Sequence, residues 1–529
     1  MDGQRGSVPI ADGRHNATFR QEMPPFESPG AQAGGLYRLH HLMNPIKRNL
    51  GWLLFSQAAT WVVSISLLLV APRELGDKTF GQLSFVIVYV SFFDLIANMG
   101  TNTFLIKSIA RDTANIDRYV VNAVAMKLTI ATVATGVALV VGALLGLSHT
   151  MMVLIVAYCI GMVLNSIGTT IGAALSGLQL MASLARWNML QCYVGGLGSV
   201  AVLLNHGSVV WYAIVFNLSF IIPIGPNLHK LWPYLGVHKR VKPRLWKEIL
   251  RGGLPFFVLA ALLVVYGTID IPLLQALTGS EEVGWYALAY RWVSVPAFFA
   301  ATVGTAFFPA LSAEGVALSP AFSSLANRAV RICVFVATPA AIGIALIAGP
   351  FLHLLYGNEF HQAVPLLRIL ALHIPIVSMD IILGSVAMAA DRQRQWVIVS
   401  VIATVFNPLL NFAAIPGSQH LFHNGAIGAA VVTVLTEVIL MVGGLTLRPK
   451  GVLDWPTVNG LLRIMVASCT MIPVVLVIRT APLGLQIGAG AATYAVASLL
   501  LRTTSISEMR GLIKRGPRKE LAESSVPPG

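Results

Sequence analysis

The sequence predicts an all-α, polytopic membrane protein, a bundle of about 14 transmembrane helices with 12 as the alternative count. Of its 529 residues 56% are hydrophobic and only 11% are charged, whereas soluble domains carry roughly 25% charged residues. The mean hydropathy is +0.74. About fourteen stretches reach the length of about 20 apolar residues that a membrane-spanning helix needs. No soluble core could bury so much apolar sequence.

The apolar stretches follow one another with short connections. The turns His206-Gly207 and Ala481-Pro482 are so brief that the helices on either side of each could be counted as one. Twelve spans is therefore the alternative count. In order, the stretches lie near residues 51–72, 80–105, 120–145, 151–177, 187–205, 208–228, 253–277, 284–310, 329–350, 363–389, 396–415, 424–446, 460–478 and 482–501.

Basic residues indicate the orientation of the bundle. With the N-terminus inside, the inner loops carry about 18 Lys and Arg, and the outer loops carry only Arg73, Lys78 and Arg479. Both termini are therefore predicted to be cytoplasmic. The same loops account for the net charge of +14, so we expect no nucleic-acid partner.

The most basic inner loop divides the predicted spans into two groups and indicates a division of the chain into lobes. The predicted segments are a disordered cytoplasmic tail (1–50), an N-terminal six-helix lobe (51–228), a basic cytoplasmic linker (229–252), a C-terminal six-helix lobe (253–446), two additional transmembrane helices (460–501) and a basic cytoplasmic tail (502–529).

Two glycine pairs suggest an internal duplication. Gly76 and Gly81 follow the first span, Gly279 and Gly284 follow the seventh, and both pairs are separated by the same offset of 203 residues (279 − 76 and 284 − 81). Short glycine-rich turns also recur by chance. If the duplication is real, six spans per copy place both copies the same way up, with the transport site between them near the membrane midplane.

Motifs for chemistry are missing from the sequence. It contains no GxxxxGK[ST] phosphate loop, no HExxH helix and no GxSxG elbow. The cysteines stand far apart in apolar runs without a CxxC spacing, and so indicate neither a disulfide nor a metal site. We therefore expect a protein that is not an enzyme and has no metal and no cofactor.

Several segments resemble the Wzx-type polysaccharide flippases of the multidrug/oligosaccharidyl-lipid/polysaccharide (MOP) superfamily. The similarity runs from about residue 48 to 446. The long N-terminal tail and the last two spans depart from the family pattern. Because of the two extra spans, membership of the fourteen-span lipid II flippases stays an alternative. The resemblance is carried by ELGDKTFGQLSF with FFDLIANMGTNTFLIKSIAR, by TIDIPLL, GSEEVGWYALAYRW and AFFPALSA, by LLYGNEFHQAVPLLRIL, and by FNPLLNFAAIP with NGAIGAAVVTVLTEV.

The resemblance implies a two-lobe, alternating-access flippase of the bacterial cytoplasmic membrane that moves undecaprenyl-diphosphate-linked oligosaccharide repeat units for polysaccharide biosynthesis. The implied partners are this lipid-linked substrate, membrane lipids, a polysaccharide polymerase and glycosyltransferases. A lipid II flippase or a cation-coupled multidrug exporter of the same superfamily are the alternatives. A membrane polymerase would require a large outer domain, which these short loops do not provide, and a structural scaffold would not need buried charges.

Charged residues inside the spans form the candidate site. Inserting a charged side chain at the centre of a membrane-spanning helix costs about 2.5–3.5 kcal/mol, so such residues indicate a function. Arg291, Arg368 and Lys127 are candidates for binding the diphosphate, since a guanidinium binds phosphate bidentately. Asp94, Asp270, Asp380 and Glu437 are candidates for ion coupling or charge pairing.

Structural interpretations compete with these functional ones. Asp270 could form an ion pair with Arg291, Asp94 could pair locally, and Lys127 could extend to the headgroups. His373 is expected to be packed rather than to relay protons. Asn407 and Asn411 indicate a polar seam between helices more than a ligand site.

Overall fold

The computed structural model describes residues 34–113, 116–236, 241–315 and 319–503, with side chains from residue 60 onward. These ranges are built of α-helices with short turns and contain no β-strand. The predicted all-α class is confirmed. The described residues from 55 onward form one compact unit.

The helices follow the predicted spans closely. Those of the N-terminal half are α1 (Gly34–Asn98), α2 (Thr101–Arg111), α3 (Ile116–Leu144), α4 (His149–Gly177), α5 (Met181–Leu204), α6 (Val209–Leu218) and α7 (Ile224–Leu231). Those of the C-terminal half are α8 (Pro243–Thr268), α9 (Asp270–Leu277), α10 (Ser280–Gly315), α11 (Pro320–Tyr356), α12 (Ala363–Ala371), α13 (His373–Ala389), α14 (Gln393–Phe422) and α15 (Gly425–Leu447). The last three are α16 (Trp455–Cys469), α17 (Met471–Val477) and α18 (Leu483–Leu500).

Within the described ranges, 13 segments are long and apolar enough to cross a membrane. The first of them, Thr60–Arg111, is 52 residues long and covers two predicted stretches, and the other twelve match the remaining predicted stretches in order. The chain is a multi-pass membrane protein with room for fourteen passes.

The backbone leaves helical geometry inside α1 at Gly76, where φ is 71° and ψ is 171°. This left-handed φ is open to glycine at little cost, whereas a side chain would strain it. The two consecutive predicted spans are therefore two helices within α1 that meet at a kink at Gly76.

Two predicted boundaries change. Residues 34–50, expected to belong to a disordered tail, are helical, and Leu36, Leu39, Met43 and Ile46 show the i, i+3, i+4 spacing that predicts this. Helix α8 begins at Pro243, inside the predicted linker, because Pro favours the first turn of a helix. Residues 1–33 and 504–529 of the predicted tails lie outside the described residues.

The buried apolar residues form three clusters. The largest takes side chains from both halves, such as Phe80, Leu154, Val283 and Phe360, and most of its members lie toward the helix ends predicted to face outward. The other two lie toward the predicted inner ends. One contains only residues between 105 and 249, and the other only residues between 300 and 464. The two halves thus share a core in their outer part, and in the inner part the first of these clusters also includes Ile249 at the start of α8.

Candidate functional site

Arg291 lies beside a cavity of about 490 Å³ between α1, α4, α6 and α10. Its guanidinium carbon lies 4.9 Å from the centroid of the Phe80 ring, a distance at which the cation and the ring attract each other. Among the described residues no carboxylate lies within 4.0 Å of the guanidinium. The cavity is lined by Thr60, Trp61, Ser64, Ile65, Leu67, Leu68, Ile87, Tyr158, Tyr212, Phe216, Arg291, Ser294, Val295 and Phe298.

Aromatic side chains of tyrosine, tryptophan and phenylalanine connect the two halves of the chain next to this cavity. The Tyr356 hydroxyl donates to the carbonyl oxygen of Leu68 at 2.9 Å, and Trp292 Nε1 donates to the Tyr356 oxygen at 3.0 Å. Phe80 and Phe360 pack edge to face with centroids 6.2 Å apart. These contacts fix α10 and α11 against α1 on the predicted outer side of Arg291.

Asp270 does not pair with Arg291. It is buried at the start of α9, and its carboxylate accepts hydrogen bonds from Tyr286 Oη at 2.8 Å, Asn411 Nδ2 at 2.7 Å and Thr433 Oγ1 at 3.2 Å. Asn411 also donates to Asn407 Oδ1 at 2.9 Å. The polar seam predicted for Asn407 and Asn411 therefore includes Asp270, and its donors come from α10, α14 and α15.

Asp380 on α13 and Glu437 on α15 form a second buried acidic group. Both side chains are buried, and Tyr266 Oη of α8 donates a short hydrogen bond to Glu437 Oε1. His373 is buried, with Nδ1 3.7 Å from Glu437 Oε1 and its ring centroid 6.0 Å from that of Tyr290.

Lys127 is fully buried, with 0% of its surface exposed, so the prediction that it extends to the headgroups is wrong. Its Nζ donates to Asn98 Oδ1 at 3.0 Å and to Asn102 Oδ1 at 2.5 Å. Asp94 pairs locally, because its Oδ1 accepts from Asn98 Nδ2 at 3.0 Å. The lysine charge is thus held inside the N-terminal half, away from the lining of the Arg291 cavity.

The structure does not bring Arg368 to the same cavity. Its side chain is exposed on α12, and it does not line the Arg291 cavity. The two arginines that the sequence groups together therefore have different surroundings, since helix depth alone does not determine which face of a helix a residue occupies.

A polar cavity of about 330 Å³ between α2, α4 and α5 was missed by reasoning from charges. Its polar lining is uncharged, with amide and hydroxyl groups spaced three or four residues apart along α4 and α5. This spacing is the signal that could have identified it. The polar lining residues are Asn102, Asn165, Thr169, Ser176, Asn188 and Gln191. Elsewhere in the described chain, no group of three or more His, Cys, Asp or Glu is placed to hold a metal ion.

The helical bundle, with its buried charges and internal cavities, is that of a multi-pass membrane protein. The sequence model for polysaccharide biosynthesis proteins matches residues 46–313. The chain belongs to this family.

Relatives and solved structures agree with that assignment. The chain is 25% identical over 172 residues to the probable low-salt glycan biosynthesis flippase Agl15 of Haloferax volcanii, a match that spans 32% of this chain and 35% of that protein. The fold is similar to that of the lipid II flippase MurJ in an inward closed conformation (TM-score 0.69, 14% identity, 88% of this chain and 99% of that one). It is also similar to an inward-facing multidrug resistance MATE transporter of the MOP superfamily (TM-score 0.57, 17% identity, 73% and 93%).

Proposed function

We propose that this glycan flippase-like transporter moves oligosaccharide repeat units, linked to undecaprenyl diphosphate, across the bacterial cytoplasmic membrane. It does so by alternating access between two lobes, with both termini in the cytoplasm. Glycosyltransferases that build the repeat unit and a polymerase that joins the units are the proposed protein partners.

Arg291 is the observation that carries this proposal. A guanidinium inside a bundle costs several kcal/mol unless an anion offsets it, and the described residues supply no carboxylate to do so. A diphosphate offers pairs of oxygen atoms that a planar guanidinium binds bidentately. The neighbouring volume of about 490 Å³ is in the size range of small-ligand sites, enough for a diphosphate and an adjoining sugar.

A cation-coupled exporter of cationic drugs fits this cavity less well. Such a cargo needs a negatively charged site, and none of the residues that line the Arg291 cavity is acidic. A lipid II flippase shares the diphosphate chemistry, so the identity of the glycan distinguishes it.

Substitutions at Arg291 test the proposal in a deletion strain that is complemented with each variant. Arg291→Lys keeps the charge and loses the two-pronged geometry, so export of surface polysaccharide should fall several-fold at normal protein abundance. Arg291→Ala loses charge-assisted hydrogen bonds of about 1.5–3 kcal/mol, and export should fall by about tenfold or more. Exported polysaccharide is measured per unit of membrane-inserted protein.

Arg368→Ala is the matched control, because this arginine is exposed and does not line the cavity. It should export at the level of the wild type. Normal export by Arg291→Ala would overturn the assignment, and so would a defect that only follows loss of the protein.

A further inference from the structure

The polar cavity between α2, α4 and α5 lies at a depth where lipid offers no hydrogen bonds. At a rise of about 1.5 Å per residue, Asn165 is about 18 Å from the end of α4 at Gly177, and Asn188 is about 10 Å from the start of α5 at Met181. Both of these helix ends are predicted to face inward. The hydrocarbon core of a bilayer is about 30 Å thick, and polar side chains within it face other helices or a water-filled cavity. The lining is therefore an internal surface.

Several polar groups of this lining are free to bind a ligand. Asn188 is exposed and lines the cavity, and within the described chain neither its amide nor the Ser176 hydroxyl makes a hydrogen bond. The oxygen of Asn102 accepts from Lys127 Nζ at 2.5 Å, which leaves the amino group of this amide as a donor. The cavity therefore offers both donors and acceptors to a ligand.

The chemistry of the lining fits a neutral sugar. Among the described residues that line the cavity there is no Asp, Glu, Lys, Arg or His, and Phe220 adds an aromatic ring to the amides and hydroxyls. A charged ligand would lack a counter-charge here, which is costly. Each hydroxyl of a sugar both donates and accepts hydrogen bonds, as these amides and hydroxyls require, and its C–H face can lie on an aromatic ring. The volume of about 330 Å³ is within the range of small-ligand sites.

The polar cavity and the Arg291 cavity are neighbours along α4. Tyr158 lines the Arg291 cavity and Asn165 lines the polar one, and two helical turns, about 10.5 Å, separate these two residues on one face of the helix. Phe216 lines the first cavity and Phe220 the second, and their rings pack edge to face with centroids 6.1 Å apart. A diphosphate held at Arg291 with its adjoining sugar would place the next part of the glycan within reach of the polar cavity.

We propose that the polar cavity binds a neutral sugar of the repeat unit, through Asn188, Asn102 and Ser176, while Arg291 holds the diphosphate. The proposal rests on the transport function proposed above and adds a second binding site to it. The spacing of the two cavities along α4 sets how far the bound sugar lies from the diphosphate. The transporter therefore selects its glycan in the N-terminal half, at a site that the diphosphate does not occupy.

Binding of two lipids to the purified full-length protein tests the sugar site. The probes are the lipid-linked oligosaccharide extracted from the deletion strain and undecaprenyl diphosphate without sugar, both measured in a detergent that has no sugar headgroup. The wild type should bind the glycosylated lipid several-fold more tightly than the bare lipid. Asn188→Leu removes the amide and adds an apolar side chain, so it should lower the affinity for the glycosylated lipid by about fivefold or more. Its affinity for the bare lipid should stay unchanged.

Asn205→Leu is the matched control, because it makes the same change at the other end of α5, where the residue lines neither cavity. It should bind both lipids as the wild type does. Equal affinities of the wild type for the two lipids would overturn the sugar site. So would an Asn188→Leu variant that keeps the preference of the wild type, or one that loses affinity for both lipids equally.

Arg291→Ala separates this proposal from the diphosphate assignment. It should weaken the binding of both lipids by the same factor and keep the preference for the glycosylated one. If it binds both lipids normally, the diphosphate assignment fails, whereas a preference lost only in Asn188→Leu still supports the sugar site. If the wild type binds neither lipid, the proposed cargo is wrong, and the free oligosaccharide, released from the lipid by mild acid, becomes the probe. Equal binding of this oligosaccharide by the wild type and Asn188→Leu would then overturn the sugar site.

Discussion

Lys127 carries its ammonium group at a point that solvent does not reach. Two amide oxygens, from Asn98 and Asn102, accept its hydrogen bonds, and Asn98 links it to Asp94. Local polar partners of this kind offset the burial of a charge. The residue thus has a structural task, which distinguishes it from Arg291.

Replacement of Lys127 should therefore destabilise the protein. Lys127→Ala leaves two buried amide oxygens without a donor, and we expect a loss of about 2–5 kcal/mol, seen as a lower melting temperature of the purified protein in detergent. Lys107→Ala removes an exposed lysine of the same half and should change stability by about 0.5 kcal/mol or less. Equal melting temperatures for the two variants would contradict the structural role.

The sequence identifies charged residues that lie deep in the predicted membrane spans, but it does not identify the residues they contact. Asp270, Asp380, Glu437 and Arg291 stand out because charges are rare in apolar spans. Yet Asp270 meets Asn411 and Thr433, which lie 141 and 163 residues further along the chain. Such contacts depend on how distant helices rotate against each other, which helical periodicity does not determine. For the same reason the sequence groups Arg368 with Arg291 although their surroundings differ.

At the scale of helices, one glycine of each predicted pair, Gly81 and Gly284, lies at a close contact between α1 and α10. A Cβ on Gly81 would lie 1.7 Å from the carbonyl oxygen of Ser280, and a Cβ on Gly284 would lie 2.2 Å from that of Asp77. The same offset of 203 residues relates Asp77 to Ser280 and Gly81 to Gly284. Reciprocal contacts of this kind are what a two-fold axis between two related segments produces, which supports the duplication.

The close contact between α1 and α10 at Gly81 and Gly284, which we call the glycine crossing, should control closure of the outer side. The atoms in the way belong to the backbone and cannot rotate aside, so Gly81→Ala should push α1 and α10 apart and favour the outward-open state. Alanine itself favours a helix by about 1 kcal/mol over glycine, so the fold should survive.

Accessibility of a cysteine at position 283 measures that opening in a cysteine-free background. Val283 is fully buried in the outer core, so Val283→Cys should resist an impermeant maleimide added from outside and react readily once Gly81→Ala is added. Gly136→Ala is the control, since a Cβ there meets nothing within 4 Å. Protection in the Gly81→Ala background equal to that in the control would refute the closing role of this crossing.

At the scale of the whole molecule, the three clusters of buried apolar residues lie at different depths. A single cluster joins the halves in their outer part, and two distinct clusters lie in the inner part, one of which packs the start of α8 on the N-terminal half. A transporter that receives its cargo from the cytoplasm would be arranged in this way, with its outer side closed by Phe80, Phe360 and the glycine crossing. Opening outward then requires the shared cluster to split while each inner cluster holds its own half together.

Length and hydropathy are sufficient to predict the positions and order of the spans, because each depends only on composition along one helix. The kink at Gly76, where two helices meet within α1, lies where the segment packs against Glu359. The start of α8 at Pro243 agrees with the preference of Pro for the first helical turn, and Leu245 and Ile249 are buried where α8 packs on α2 and α3.

The sidedness of the lipid-linked oligosaccharide in cells that lack this protein tests the central claim most directly. We predict that the deletion strain continues to make the lipid-linked repeat unit but keeps it out of reach of an impermeant glycosidase added to spheroplasts. Wild-type protein should restore access and Arg291→Ala should not. If cells without the protein expose as much lipid-linked oligosaccharide as the wild type, and become sensitive to cationic drugs, the flippase account is contradicted and the exporter is supported.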